Sequence, residues 1–255
     1  MTGYPDRPEL VASPPATIYR VGKYEDAWTR RPPSLGEPSA SRYDDPIGRY
    51  RTIYAASTRY DAYLAVLAEL TPGPNADLES TIEIEDVDRR STHVDDRRRR
   101  PDAVARWISK RYLGQGTLNG RFADLTNPTT VDFLRHRLAN LFTQHQITRF
   151  DPDVLTYAPR EVTMEISRCI SELEVRIGER FDGLFYRSRL AGGIGRWAIF
   201  DKDLTNTLFA VTSTRSHKIS LEDPDLLRAL NDCNIYVAPS SLTIVEQGLD
   251  QPDAN

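Results

Sequence analysis

Chemistry in this chain would have to come from a scattered polar set. It comprises Arg20 in "IYRVG", Arg42 in "SRYDDPIG", Tyr54 in "RTIYAA" and Ser188 in "FYRSR", each near the end of a strand-like segment. Singly, each has an ordinary reading: the arginines as surface ion-pair partners, Tyr54 as a core aromatic, Ser188 as a solvent-facing hydroxyl. No standard catalytic signature competes with them. His93, His136, His145 and His217 form no His-x-x-x-His or His-Glu arrangement, so metal catalysis is unsupported. There is no Gly-x-Ser-x-Gly elbow and no Gly-Lys-Ser/Thr phosphate loop. "AGGIGR" lies between two strands, without the following helix that would bind a pyrophosphate. Cys169 and Cys233 lack zinc or redox spacing, and Cys169 falls on an apolar helical face as a small hydrophobe.

The elements that must position these residues follow along the chain. Residues 1–16, rich in proline and polar groups, are expected to form a loosely packed arm before the strand "ATIYRV". "RRPPSLGEPSASRYDDPIGRY" has four prolines and two glycines in 21 residues, which excludes a long helix and predicts an extended loop. Loops of that length inside compact domains tend to be functional. "RTIYAA" is a strand, after which Ser57 or Thr58 caps a helix reaching about Leu70, where "TPGP" stops it. A strand is expected at "STIEIED", then a charged segment that turns amphipathic after Pro101. Arg97 to Arg100, partly neutralised by Asp95 and Asp96, read as a solvated helix start or loop rather than a phosphate or nucleic-acid site.

"LTNPTTVDFLRHRLANLFTQHQ" places Phe133, Leu134, Leu138, Leu141 and Phe142 on one helical face, with Asn127 or Thr129 as cap. "REVTMEISRCISELE" does the same with Val162, Ile166, Cys169, Ile170 and Leu173. "FDGLFYRSRL" and "GRWAIF" read as strands joined by "AGGIG", "TLFAVTSTR" as a third, and "DPDLLRALNDCN" as a last helix before a flexible tail at 246–255.

With 255 residues and 39% hydrophobic content, one domain over residues 17–245 is expected. The 33 basic and 37 acidic residues give a formal charge of −4 and are interspersed, so nucleic acid is a poor partner. No stretch approaches the roughly 18 apolar residues that span a bilayer, and no basic segment precedes an apolar run. The reading is a cytoplasmic protein without membrane contact.

Taken together and in this order, the polar residues resemble the RES-domain family, named for an arginine, a glutamate and a serine and known as NAD-degrading bacterial toxins. The resemblance runs through "IYRVG", "SRYDDPIGRYRTIYAASTRYDAYLAVLAEL" and "FDGLFYRSRLAGGIGRWAIF", from about Thr17 to Phe200, with the middle helices matching only in character. Its more specific anchors are "DGLFYRSR", whose Ser188 lies twelve residues before Phe200, and "IYAAS" after an Arg-Tyr loop.

The resemblance implies an α+β fold with a mixed, ADP-ribosyltransferase-like central sheet flanked by helices, and a cleft where the nicotinamide–ribose bond of NAD breaks. Such a site must hold the pyrophosphate, clamp the nicotinamide and place negative charge near a ribosyl oxocarbenium ion. On that reading Arg20 and Arg42 occupy the family's arginine positions, and their forks suit phosphate oxygens. Tyr54 stacks on nicotinamide, and Ser188 hydrogen-bonds the nicotinamide or its ribose. NAD is substrate, no cofactor or metal is implied, and water or inorganic phosphate attacks C1 of the ribose. The family also implies a protein antitoxin with a helix-turn-helix domain, and leaves a homo-oligomer open.

The sequence departs from the family at two positions. The family's helix glutamate lies eleven residues after the strand tyrosine, and here that position is Ala65. Glu69, about 6 Å further along the axis, reads as a surface residue ending the helix. Two accounts fit Ala65: a natural, weakened relative, or a deliberately inactivated version, which the retained tyrosine, serine and arginines favour. Arg196 stands where many relatives have asparagine, eight residues after the serine, and puts polar recognition there in doubt. The alternatives are a regulatory module that binds NAD or ADP-ribose without turnover, and an ADP-ribosyltransferase.

Overall fold

The computed structural model describes residues 7–11, 17–29, 41–70, 101–152, 158–176, 179–187, 194–202, 210–235 and 237. Strands β1 (Thr17–Gly22) and β2 (Arg51–Ala56) form where the β-branched and aromatic runs place them. Helix α1 (Arg59–Leu70) begins where Thr58 Oγ1 accepts the Asp61 N–H at 3.0 Å. There follow α2 (Pro101–Ser109), β3 (Tyr112–Leu118), β4 (Phe122–Asp124), α3 (Pro128–Arg137), α4 (Ala139–Gln144) and α5 (Arg160–Glu172). The chain then makes β5 (Glu174–Arg176), β6 (Glu179–Arg180), β7 (Gly183–Arg187), β8 (Gly195–Asp201), β9 (Val211–Lys218) and α6 (Pro224–Asp232). The fold is α+β. Its seven-stranded sheet has the order β4-β7-β8-β2-β1-β3-β9 and is mixed, since β4 and β7 run parallel and the other neighbours antiparallel.

Connectivity forbids a flat sheet. β3 and β4 stand five places apart in the order, about 24 Å in a plane. Residues 119–121 alone connect them, and that link lets the Cα atoms of Leu118 and Phe122 stand at most about 14 Å apart. The turn uses Gly120 at φ 103°, where a Cβ would lie 2.5 Å from Asp182 Oδ2. Asp182 also accepts the Arg121 N–H at 2.8 Å and donates its own N–H to Arg121 O at 2.8 Å. The sheet therefore curls. Its concave face encloses Ile18, Ile53, Ala55, Leu118, Phe122, Trp197, Ile199 and Val211, closed by Trp28.

The convex face carries helices in two blocks. Phe133, Phe142, Val162, Ile166 and Ile170 of α3, α4 and α5 share a core with Leu184, Ala198 and Phe200 of β7 and β8. Tyr63, Leu67, Ile108, Leu226 and Leu230 of α1, α2 and α6 share another with Tyr19, Val21 and Leu113 of β1 and β3. The seam between the blocks runs along β1 and β2, which are registered through Tyr19–Ala56 alone. By contrast β1–β3 runs from Thr17–Thr117 to Gly22–Tyr112, and β2–β8 from Arg51–Asp201 to Ala56–Arg196. The sheet thus parts between residues 20–22 and residues 51–55.

Three expectations change. The single helix over residues 128–144 is broken, because Leu138 at φ −115° and ψ 26° ends α3 and opens α4; Asn127 Oδ1 caps α3 through the Thr129 N–H. β3, "YLGQGTL", is an element the sequence pattern does not announce. Its Gly114 and Gly116 lie under Trp28, where a Cβ would come within 2.8 and 3.1 Å of the indole. Residues 9–11, expected in a loose arm, lie along β4: the Val11 N–H reaches Phe122 O at 3.0 Å, and Glu9 O accepts the Asp124 N–H at 2.8 Å. They cover an edge that would otherwise invite pairing. The strand expected at residues 80–86, the run Arg97 to Arg100, most of "AGGIG" and the tail lie outside the described residues. Among the described residues, no helix is long and apolar enough to cross a membrane.

Candidate ligand site

The register of three strands gathers polar and aromatic groups. Tyr54 lies opposite Ala198, Ala56 opposite Arg196, and Arg196 opposite Tyr186. Residues opposite in register share a face, as do alternate residues along a strand. Tyr54, Tyr186 and Arg196 therefore all lie on the convex face, next to the seam. The rings of Tyr54 and Tyr186 meet edge to face at 6.4 Å, and Tyr43 adds a third ring 4.8 Å from Tyr186. Arg196 is only 8% exposed, and its Nε and Nη2 have no acceptor among the described residues.

The long loop predicted between the first two strands is, over residues 41–50, tightly tied. Tyr43 O accepts from Thr52 Oγ1 at 2.6 Å and from Ser167 Oγ at 2.5 Å, while the Tyr43 N–H donates to Tyr54 Oη at 3.2 Å. Asp44 Oδ1 accepts the Thr52 N–H at 2.6 Å. Arg42 Nη2 donates to Ala158 O at 2.9 Å, just before α5, and Arg42 O accepts from Thr163 Oγ1 at 2.7 Å. The loop thus sets Arg42 and Tyr43 relative to β2 and α5 as rigidly as a regular element would. Burial, reinforced by Tyr186 and Asp44, pushes the Tyr54 phenol well above its ordinary pKa. Tyr54 is therefore a neutral hydrogen-bonding ring, not a base.

The other residues expected at the site are placed as follows. Arg20, half-buried on β1 opposite Gly114, alternates with Ile18 and so belongs to the concave face, opposite in parity to Tyr54. It stands where β1 and β2 part. Ala65 is buried on α1, at 8% exposure, yet contributes to none of the three apolar clusters, whereas Ala62 and Leu67 pack in the α1–α2–α6 core. Ser188 and the Glu69 side chain lie outside the described residues. Two residues join the site that sequence reasoning did not select, Tyr43 and Tyr186. Their only signal was adjacency: "RY" after Arg42's serine, and "YRS" ending in Ser188. No group of three or more His, Cys, Asp or Glu among the described residues could hold a metal.

A second buried polar group sits in the other helical block. Asp223, at 7% exposure, pairs with Arg59 Nη2, accepts from Tyr63 Oη at 2.8 Å, and caps α6 through the Asp225 N–H at 3.0 Å. Burial pushes its carboxyl up, but the hydrogen bonds from Tyr63, Arg59 and the Asp225 N–H outweigh this and hold it below the usual carboxylate range. Every partner belongs to the fold, so the group joins α1 to α6 and is structural.

No family model matches the chain. No curated protein matches it either. Among solved structures, the chain is similar to one in the M. tuberculosis MbcT–MbcA toxin–antitoxin complex, with TM-score 0.39 and 13% identity over 79% of this chain and 84% of that chain. A likeness this distant carries no argument about chemistry.

Proposed function

We propose that the chain is a RES-type toxin that cleaves the nicotinamide–ribose bond of NAD, by hydrolysis or phosphorolysis, and that Ala65 leaves it inactive or weakened. The observation that carries this reading is the gathering of Tyr54, Tyr186 and Arg196, by strand register, beside the seam between β1 and β2. Two rings at fixed orientation suit a flat nicotinamide, and a buried guanidinium suits an anion. Tyr54 clamps the nicotinamide, its hydroxyl held by the Tyr43 N–H. Arg42 takes the pyrophosphate and Ser188 fixes the amide or the ribose, while Arg20, on the opposite face of the sheet, drops out of the ligand set.

The acid that would face the oxocarbenium ion is missing from its slot on α1, which holds Ala65. Asp44 serves the loop, its oxygens accepting the Thr52 and Ser41 N–H groups. The Ala65→Glu variant restores the acid. Nicotinamide release from NAD should rise by about a hundredfold or more. No NAD loss by the purified variant, with no growth defect in cells, rejects the role.

The missing acid favours a second reading, a regulatory module that binds NAD or ADP-ribose without turnover. It predicts a calorimetric NAD signal with no nicotinamide release even in Ala65→Glu. Transfer of ADP-ribose to a macromolecule would instead leave label from NAD on protein or nucleic acid. An antitoxin with a helix-turn-helix domain is the expected partner, acting by occlusion; a complex that leaves Tyr54 and Ser188 open to solvent contradicts this.

A further inference from the structure

Four arginines of this structure can be compared along one edge of the guanidinium, the side where Nε–H and an N–H of Nη2 point the same way. Arg49 presents that edge to Asp45, with Nε at 2.9 Å and Nη2 at 3.0 Å from the two carboxylate oxygens. Arg168 presents it to Glu165 Oε2 at 2.8 and 2.5 Å, and Arg215 to Gln115 Oε1 at 3.2 and 2.8 Å. The Arg49 and Arg168 side chains are 44% and 36% exposed, and Arg215 is exposed, so water could have served all three. Arg196, the one that is buried, is the one whose same two nitrogens have no acceptor among the described residues.

Burying two guanidinium donors without acceptors among the described residues is unfavourable. The Arg196 backbone is held in β8 with registered strands on both sides, Ala56 of β2 and Tyr186 of β7. The Ala56 methyl on one flank offers no acceptor, and Tyr186 on the other has a hydroxyl that neither Nε nor Nη2 meets. Building on the dinucleotide reading above, we infer that the Nε–Nη2 edge of Arg196 grips a phosphoryl group of the ligand. An asparagine in its place, with one short amide, could not do this in bidentate fashion. The chain's departure at this position is then a specificity device: it makes a phosphate the anchor of whatever stacks on Tyr54 and Tyr186.

The test uses calorimetry on the purified full chain and on Arg196→Lys and Arg196→Gln, with NAD, NADP, nicotinamide riboside and inorganic phosphate as probes, at matched ionic strength. Lys keeps the charge but loses the two-pronged edge, so phosphate-bearing probes should bind about tenfold or more weakly. Nicotinamide riboside, which has no phosphate, should be unaffected. A loss confined to NADP assigns the ribose phosphate, an equal loss for NAD and NADP the pyrophosphate, and a loss for inorganic phosphate a separate anion. Unchanged binding of every phosphate probe by both variants overturns the inference, as does an equal loss with the riboside. Should the variants unfold, the wild-type chain decides: phosphate-bearing probes must raise its melting temperature above matched chloride, and no rise is a refutation. Phosphate binding through Arg196 without NAD cleavage by Ala65→Glu would sink the enzymatic reading and leave this one standing.

Discussion

Two buried polar clusters, one under each block of helices, set a structural group against a candidate site. Asp223, beneath α1 and α6, has its oxygens answered by Arg59, Tyr63 and a backbone N–H. Arg196, beside the α5 block, has two donors that the described fold does not answer. Both are more than nine-tenths buried. The difference teaches that burial of charge alone does not mark a candidate site: Arg59 leaves a single buried nitrogen, Nε, without an acceptor among the described residues, whereas Arg196 leaves the whole Nε–Nη2 edge.

The sharpest way to break the comparison is on α1 itself. Ala62→Glu puts a carboxylate into the α1–α2–α6 core and should cost about 3 kcal/mol or more. Ala65→Glu, three residues on and outside every apolar cluster, should cost less than half of that while raising NAD turnover. Urea unfolding of the two variants checks this, and equal losses would place Ala65 in the core rather than at the site. Next, Asp223→Ala removes a helix cap and an acceptor of Tyr63, for about 2 kcal/mol, since Arg59 is partly exposed and its share is small. Tyr54→Phe leaves the Tyr43 N–H without its acceptor and should cost about 1 kcal/mol. It should also loosen the loop, visible as faster amide exchange at Tyr43.

The smallest effect is in pH. Because Asp223 is held below the usual carboxylate range, its contribution is complete above the unfolded value, near pH 4, and is lost as pH falls through the folded one. The melting temperatures of wild type and Asp223→Asn should therefore converge as pH drops below about 4. A gap that is constant from pH 7 to pH 3 would mean that the stabilisation does not depend on the charge.

Much of the fold was legible because its signals are local. β1, β2, α1, α5, β7, β8 and α6 follow from β-branched runs, apolar stripes and the Thr58 hydroxyl. β3 was not, since its glycines answer to Trp28, some 85 residues away in sequence. The break at Leu138 was hidden because an apolar stripe continues through a kink. At the candidate site, the family resemblance singled out Tyr54 and Arg196, but not that register sets them on one face with Tyr186. Nor could the sequence show that Arg20 alternates onto the other face, because which side a strand residue takes depends on a pairing made elsewhere.

The three-residue link from β3 to β4 has a further consequence. It is a leash, and it fixes the arc of the whole sheet whatever fills the interior. A strip bent that far gapes at its weakest join, which here is the single rung between Tyr19 and Ala56. How tightly β1 meets β2 is thus tied to chain length: an exchange of core side chains leaves the link as short as before, whereas inserting a few residues beside Gly120 would slacken the arc.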